Sequence, residues 1–336
     1  MQRRHRILFT TLAVAVIALL LCDLAIGTVA LSPRELWSAL VGGGEADATL
    51  RSIIIDIRLT KAVMALVAGV ALSISGLQMQ TLFRNPMAGP YVLGVSAGAS
   101  FGVALFLLGA PLVGITASGA LGTLGTAGAA WAGAAVVLLA VVALSRRIKD
   151  IMVILILGMM LSSALGAVVE ILQYLSNEQS LKSFVVWTMG SLGDVTRTQL
   201  AIIAPLVALG LALSVATVKS LNTLLLGETY ARTSGINLPR TRRAILCSTT
   251  LLAGTITAFC GPVGFVGLAV PHIARMMFRS ADHRTLLPAS ALIGGVMMLL
   301  GDIISKALVL PINTITALMG IPIVVYIVLR NRNLMQ

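Results

Sequence analysis

The residues with the clearest chemical signature are two overlapping GxSxG patterns, GVSAG at Gly94–Gly98 and GASFG at Gly98–Gly102. In serine hydrolases this pattern exposes a nucleophilic serine between a strand and a helix, and it needs histidine and acid partners. Here Ser96 and Ser100 open a long apolar segment, where small residues more often let two helices approach closely. We therefore favour helix packing, and an intramembrane serine protease is kept as an alternative.

Two further groups of ionisable residues lie within apolar segments. His272, in GLAVPHIARMM, follows a proline near an expected helix break, which favours a hydrogen-bonded structural histidine over a catalytic one. His283 lies in a basic segment and suggests nothing catalytic. Asp302 and Lys306 are four residues apart, so they share one helical face and are expected to neutralise each other near the external surface.

The sequence has no motif for metal binding, for a disulfide or for ATP binding. The three cysteines are scattered through apolar segments and form no CxxC pair, so no metal site or disulfide is expected. There is no GxxxxGK[ST] pattern, and none of the five lysines follows a glycine. The chain is expected to have no catalytic residue and no cofactor of its own, and any use of ATP must come from a partner.

The elements that position these residues are membrane spans. Of the 336 residues, 58% are hydrophobic and 11% are charged, far from the composition of soluble domains. Apolar runs long enough to cross a bilayer recur along the chain, which predicts an all-α polytopic membrane protein. The ten predicted spans are about 7–29, 61–82, 91–109, 125–145, 151–174, 198–218, 243–260, 263–279, 285–304 and 312–329.

The net charge of +12 is explained by topology rather than by nucleic acid. With ten spans, 17 of the 24 Lys and Arg residues fall on the side of the N-terminus, so both termini are expected to be cytoplasmic. The first apolar segment is interpreted as an uncleaved span. After it, SPRELWSALVGGG contains a capping box, Ser32 to Glu35, and predicts a short external helix.

Glycine and proline cluster in two stretches, 78–98 and 261–272, and each contains a Gly-Pro pair at the edge of a span. Broken helices in corresponding halves of a chain are typical of an internal repeat whose interface lines a pathway. If spans two to five match spans seven to ten, the halves start on opposite sides of the membrane. The pattern therefore predicts an inverted repeat.

Four stretches carry a specific resemblance: IRLTKAVMALVAGVALSISGLQMQTLFRNPMAGPYVLGVSAGA, VVWTMGSLGD, LGETYARTSGIN and GFVGLAVPHIARMMFRSADHRTLLPASALIGG. In this order they resemble the permease subunits of type II ABC importers, the FecCD family, over nearly the whole chain. The resemblance implies one transmembrane permease domain over 1–336 that forms a homodimer around a central pathway. It further implies two cytoplasmic ATPase subunits, which bind ATP and Mg, and a periplasmic or extracellular substrate-binding protein. The implied place is the bacterial cytoplasmic membrane, and the implied cargo is an iron-siderophore, haem or cobalamin.

The resemblance also implies residue roles in a coupling segment, about 220–241, where the family docks onto its ATPase. The residues that match the motif are Gly227, Glu228, Ala231, Arg232 and Gly235. The small residues at 231 and 235 suit close approach of two backbones. Glu228 and Arg232, four apart, are expected to support the helix locally.

On the outer face, the family binds carboxylates of its binding protein through basic residues, which match Arg58, Lys61 and Lys306. The family's Arg-Leu-Pro-Arg is RLTK here, which keeps the charge but loses a bidentate fork and predicts weaker or altered docking. In LVLPINTITALMG, Val309 or Leu310 replaces a family glutamate and Asn313 replaces a glycine, so the external mouth is expected to differ.

The loop after span two is predicted to form the cytoplasmic gate. Asn85-Pro86 breaks the helix there, and irregular backbone at that depth needs protein or a water-filled cavity around it. The resemblance places the loop at the inner end of the pathway, with Gln80, Asn85, Pro86 and Met87 as the gate residues. The expected mechanism is alternating access, driven by ATP binding to the partner subunits.

A proton-coupled secondary transporter and a non-transporting membrane scaffold also stay open as interpretations of the sequence. The secondary transporter would need a carboxylate relay within the membrane, for which Asp23 and Glu170 are the candidates. The scaffold would tolerate disruption of the coupling segment.

Overall fold

The computed structural model describes residues 2–27, 51–112, 119–148 and 150–331, and within these ranges the chain is helical without strands. In the same ranges, eight helices are long and apolar enough to cross a membrane, and two shorter apolar helices complete the ten segments predicted. The helices are α1 Gln2–Ala25, α2 Ile53–Leu82, α3 Val95–Leu112, α4 Gly119–Arg147, α5 Ile151–Leu175, α6 Glu178–Thr188, α7 Arg197–Leu224, α8 Glu228–Thr233, α9 Leu238–Cys260, α10 Val266–Phe278, α11 His283–Leu308 and α12 Ile312–Asn331.

The observed helices differ from the predicted ones at the start of α2 and in an additional helix, α6. Helix α2 begins at Ile53 with a π-helical segment, Ile53–Leu59, so Arg58, which was expected before span two, lies inside the same helix as Lys61. Helix α6 was not predicted, because it is short and amphipathic. The external helix predicted from the capping box at Ser32 lies outside the described residues.

Helix α2 is the central helix of the bundle, and α11, α10, α7 and α1 pack around it. Its glycines permit this packing: a Cβ at Gly69 would overlap the carbonyl oxygen of Gly294, and one at Gly76 would overlap that of Gly267. Helices that meet backbone to backbone gain dense van der Waals contact, which is how membrane helices associate without a hydrophobic driving force.

The glycines of the GxSxG patterns have the same function in the α3–α4 pair. A Cβ at Gly98 would approach the carbonyl of Gly133, and a Cβ at Gly102 would overlap that of Ala129. This supports the packing interpretation of the two motifs over the catalytic one.

Hydrogen bonds relate the ends of the helices to the two faces of the bundle. At the start of α1, Arg4 donates to the carbonyl of Met277 over 3.0 Å, and His5 Nε2 lies 3.0 Å from the carbonyl of Phe278. The start of α1 and the end of α10 therefore share one face, called here the N-terminal face. Its counterpart, where α1 ends and α2 begins, is called the opposite face.

Two helix breaks occur at corresponding places in the halves of the chain. Helix α3 starts after Gly94, with φ 81°, and α10 starts after Phe265, with φ 64°. Helix α10 has only 13 residues, about 20 Å of rise, and it ends at the N-terminal face, so its break lies within the bundle towards the opposite face. The first break also lies within the bundle, since a Cβ at Gly94 would contact Ser162 and Gly158 of α5, and Pro90 before it lies against Gly267 at the start of α10.

Candidate functional sites

Four charged side chains form a cluster where α1, α2 and α11 meet at the opposite face. Lys306 Nζ lies 2.9 Å from both Asp23 Oδ1 and Asp302 Oδ2, and Lys61 Nζ lies 3.1 Å from Asp302 Oδ1. Both aspartates are almost fully buried, at 0% and 1% exposure. Two cations balance two anions, so the cluster joins three helices without leaving net charge inside the protein. The predicted pairing of Asp302 with Lys306 is confirmed, and it is part of a larger network.

Arg58 lies beside this cluster and is also buried. Its Nη1 donates to the carbonyls of Leu24 and Ala25, over 3.0 and 3.2 Å, at the end of α1. Cations at a helix C-terminus interact favourably with the helix dipole. The structure thus brings the three predicted docking residues together, but each has partners within the chain. Their docking role stays a prediction, and Lys61, 22% exposed, is the more accessible of the two lysines.

The predicted gate loop, 83–94, begins as α2 ends at the N-terminal face. Arg84 adopts a left-handed backbone conformation with φ 47°, and the amide of Asn85 donates to the carbonyl of Gln80 over 3.1 Å. Asn85 Oδ1 then accepts a hydrogen bond from the amide of Met87 over 2.9 Å, which forms a tight turn. Met87 is left exposed at the tip of this turn.

Helix α10 holds the gate loop and the end of α2. His272 Nε2 lies 2.8 Å from the carbonyl of Pro86, and Arg275 Nη1 donates to Gln80 Oε1 over 2.6 Å. Gln80 Nε2 donates in turn to the carbonyl of Leu268 over 3.0 Å. His272 is therefore a hydrogen-bonded structural residue, as predicted, and the four predicted gate residues lie together beside α10.

The coupling segment contains α8, a helix of six residues between two glycines with positive φ, Gly227 at 105° and Gly235 at 79°. Glu228 pairs with Arg242 of α9, with Oε1 2.5 Å from Nη2. Among the described residues, Glu228 forms its ion pair with Arg242 and not with Arg232, so the expected local pair is wrong. The carboxylate instead ties α8 to the next helix.

The motif predicts that the small residues Ala231 and Gly235 face a partner, but the structure exposes a different set of side chains around α8. Ala231 is fully buried in an apolar cluster of this chain, so it is not available to a partner. Leu226 and Tyr230 are 66% and 52% exposed, next to the exposed Arg232 and Gly235. Large exposed apolar side chains beyond the ends of the spans are typical of a protein-docking surface. The signal that could have identified them is their apolar character within a polar connecting segment.

A third polar network was missed by the sequence analysis. His283 is buried at the start of α11, and its ring bonds Thr81 of α2 and Asn222 of α7, both over 2.8 Å. A histidine in a basic segment resembles a solvated residue, and only the packing of three helices shows its burial.

Asp282 caps α11 by accepting from the amide of Arg284 over 2.9 Å, and this hydrogen bond lowers the pKa of the Asp282 carboxyl.

A cavity of about 480 Å³ lies towards the opposite face, between α4, α6, α7 and α9. Its lining combines apolar residues with five polar ones: Thr126, Ser183, Ser191, Asp194 and Gln199. Asn313, the position expected to depart from the family pattern, accepts a hydrogen bond from the amide of Gly264 over 2.9 Å. That bond fixes the break before α10.

These sites define the class of protein. In the described ranges no group of three or more His, Cys, Asp or Glu side chains could hold a metal ion. The polar residues connect helices at their ends, and the segment that contains the short helix α8 exposes the apolar side chains of Leu226 and Tyr230 after the end of a long apolar helix. This is a multi-pass helical membrane protein with the features of a transport subunit.

The chain belongs to the FecCD transport family, whose family model matches residues 14–330. It is 32% identical to the hemin transport system permease protein HmuU of Yersinia pestis, over 97% of this chain and 96% of that protein. It is 33% identical to the vitamin B12 import system permease protein BtuC of Citrobacter koseri, over 98% and 96%. A solved structure described as an inward-facing metal-chelate type ABC transporter matches with a TM-score of 0.84 and 29% identity, over 97% of this chain and 99% of that one.

Proposed function

We propose that this chain is the permease subunit of an ATP-driven importer that moves a metal chelate across the cytoplasmic membrane by alternating access. The observation that carries the proposal is the apolar surface of the coupling segment, Leu226 and Tyr230, in a chain of the FecCD family. A permease without an ATP-binding motif needs a partner that hydrolyses ATP, and this surface is where that partner would bind. Haem, cobalamin and ferric chelates are the proposed cargo classes, in line with the names of the relatives.

The proposed assembly has two copies of this chain around the pathway. Helix α5 is the least buried of the long spans, and its exposed residues include Ser163 and Glu170. A charged side chain at the centre of a membrane helix costs roughly 3 kcal/mol on insertion scales, and Glu170, five residues before the end of α5, would bear part of that cost if it faced lipid. This cost supports an arrangement in which that face of α5 meets the second copy or the water between the copies.

The positions of Asp23 and Glu170 weaken the case for a secondary transporter. A proton relay needs carboxylates that can exchange protons along a path, but Asp23 is held at the opposite face by Lys306, 2.9 Å away. Glu170 lies on the exposed side of a different helix, α5. The two candidates therefore belong to separate environments.

Docking of the binding protein is proposed at the charged cluster of the opposite face. Carboxylates of the partner would approach Lys61 first, and they would compete with Asp302 for its ammonium group. Such pairs chiefly speed encounter and set orientation. We expect this docking to depend strongly on salt concentration.

Reconstitution with the cognate ATPase tests the proposal. Proteoliposomes that contain both subunits are given haemin, cyanocobalamin or a ferric hydroxamate with the cognate binding protein, and uptake is measured with and without ATP. We expect uptake of one of these probes to require ATP and the ATPase. Uptake that follows a pH gradient without the ATPase would instead establish the secondary transporter.

A variant pair tests the docking surface. Gly235→Arg places a bulky cation on the exposed coupling segment, and we expect it to abolish co-purification with the ATPase. Gln179→Arg, an exposed position of α6 at the opposite face, is the matched control and should assemble normally. If Gly235→Arg assembles and transports like the parent protein, the docking assignment is wrong.

A further inference from the structure

A chain of hydrogen bonds joins three helices at the N-terminal face. Asn222 Nδ2 donates to Asp282 Oδ1 over 2.6 Å, and Asn222 Oδ1 lies 2.8 Å from both the backbone nitrogen and Nδ1 of His283. The other ring nitrogen of His283, Nε2, lies 2.8 Å from Thr81 Oγ1. The chain therefore runs from α7 through the start of α11 to α2.

The donors and acceptors of this hydrogen-bond chain can be assigned starting from Asp282. Because Asp282 accepts from the Asn222 amide group, Asn222 Oδ1 faces His283 and must accept from Nδ1–H. The Thr81 hydroxyl lies 2.8 Å from Nε2 and 3.0 Å from the carbonyl of Leu77, and its single proton completes the hydrogen-bond chain when it is donated to Nε2 of the neutral ring. His283 and Thr81 are both buried, so water does not compete for these bonds.

The two ends of this chain of hydrogen bonds lie next to the two moving parts of the proposed transporter, the coupling segment and the gate loop. Asn222 is in the last turn of α7, at the start of the coupling segment and four residues before its exposed Leu226. Thr81 is in the last turn of α2, directly before the gate loop. Its neighbour Gln80 binds Arg275, so the same turn of α2 is also tied to α10.

We propose that Asn222, His283 and Thr81 form a transmission link, which passes movement of the coupling segment to the gate loop. The three are positioning residues, since none of them needs to touch cargo or ATP. The proposal rests on the proposed function, because it assumes an ATPase that moves the coupling segment. Within this chain, the proposal assigns the transmission of movement to the contacts of His283, at the start of α11, with α7 and α2.

Apolar packing offers a competing route between the same helices. Leu221 and Leu224 of α7 belong to one buried cluster with Met79, Leu82 and Phe83 at the end of α2. Apolar surfaces can slide past one another, whereas hydrogen bonds fix the relative position of the groups that they join. The two routes can be separated by a substitution that removes the hydrogen bond and preserves the shape of the side chain.

Thr81→Val is that substitution, and Thr81→Ser is its matched control because it keeps the hydroxyl. The reporter is Met87→Cys, at the exposed tip of the gate loop, in a chain whose three native cysteines are replaced. The assembled transporter with its ATPase is placed in inside-out vesicles. The rate at which a membrane-impermeant maleimide labels residue 87 is measured without nucleotide and with trapped ATP.

In the Thr81→Val protein we expect hydrolysis of ATP to continue while the ATP-dependent change in labelling becomes about fivefold smaller, the equilibrium effect of one buried hydrogen bond. Thr81→Ser should respond like the parent, and Asn222→Ala should repeat the Thr81→Val result from the other end of the chain. If Thr81→Val and Asn222→Ala both respond like the parent, the link is refuted and apolar packing carries the movement. If the parent itself shows no response to ATP, the proposed function fails instead.

Discussion

At the scale of single residues, the charged cluster of Asp23, Lys61, Asp302 and Lys306 should contribute strongly to stability. Asp302 contacts both lysines, so Asp302→Ala leaves two partly buried cations with too little negative charge. We expect a loss of about 3 kcal/mol, typical of breaking a buried ion pair. The measurement is thermal unfolding of the purified protein in detergent.

Two variants control this experiment. The double variant Asp302→Leu with Lys61→Met removes one pair and leaves Asp23 with Lys306, so it should recover much of the lost stability. Asp56→Asn breaks an ion pair with Arg197 in which both side chains are largely exposed, and it should cost far less stability than Asp302→Ala. If Asp302→Ala and Asp56→Asn lower the stability equally, burial of the charged cluster does not contribute to the stability of the protein.

Asp282 gives a prediction about pH. The hydrogen bond from the amide of Arg284 lowers the pKa of the Asp282 carboxyl, so its stabilising effect is present at neutral pH and is lost as acid protonates the folded protein. Asp282→Ala should cost about 1 kcal/mol at neutral pH through loss of the N-cap, and Asp282→Asn should cost less. Unfolding in denaturing detergent measures both values, and a difference between the parent and Asp282→Ala that is unchanged in strong acid would contradict this account.

The sequence predicted contacts between residues that are close along the chain and missed those between distant helices. Spacing alone predicted that Asp302 pairs with Lys306, because four residues make one helical turn. Nothing local shows that Asp23 and Lys61 join them, or that Glu228 turns to Arg242 instead of Arg232. These partners depend on how the helices pack.

At the scale of helices, glycines set how closely the elements approach. A Cβ at Gly76 would overlap the backbone of Gly267, which cannot move aside like a flexible side chain. Gly76→Ala should therefore separate α2 from α10 and cost about 2 kcal/mol or more. Thermal unfolding of detergent-purified protein measures the loss.

Gly128→Ala is the matched control, because an added Cβ at this position in α4 meets nothing within 4 Å. It should be neutral or stabilise the helix by up to about 1 kcal/mol. Ser96→Ala should also have little effect, since the GxSxG glycines are used for packing. A large loss of a hydrolytic activity on Ser96→Ala would restore the protease interpretation.

The existence of the helices could be predicted far better than their breaks. Apolar runs of sufficient length have few other structures open to them in a membrane, so the ten spans were found. The positive φ of Phe265 could not be predicted, because a bulky residue seldom adopts it and only the packing of Gly320 beneath its side chain accommodates it. Helix breaks that depend on such contacts require the tertiary structure.

At the scale of the whole molecule, the orientation in the membrane decides whether the proposed sites can work. In a chain without native cysteines, Ser234→Cys reports on the coupling segment and Gln179→Cys on α6, and both positions are exposed. Because 17 of the 24 Lys and Arg residues lie on the N-terminal side, we expect that side to stay in the cytoplasm.

A membrane-impermeant maleimide should therefore label Gln179→Cys in right-side-out vesicles and Ser234→Cys in inside-out vesicles, with permeabilised vesicles as the control for reactivity. Labelling of Ser234→Cys from outside would place Leu226 and Tyr230 beyond the reach of any ATP-hydrolysing partner. The charged cluster of Lys61 and Lys306 would then face the cytoplasm, where no external binding protein could dock. One reversed result would thus remove the physical basis of both proposed interfaces, because the two faces of the bundle are fixed relative to each other by the same helices.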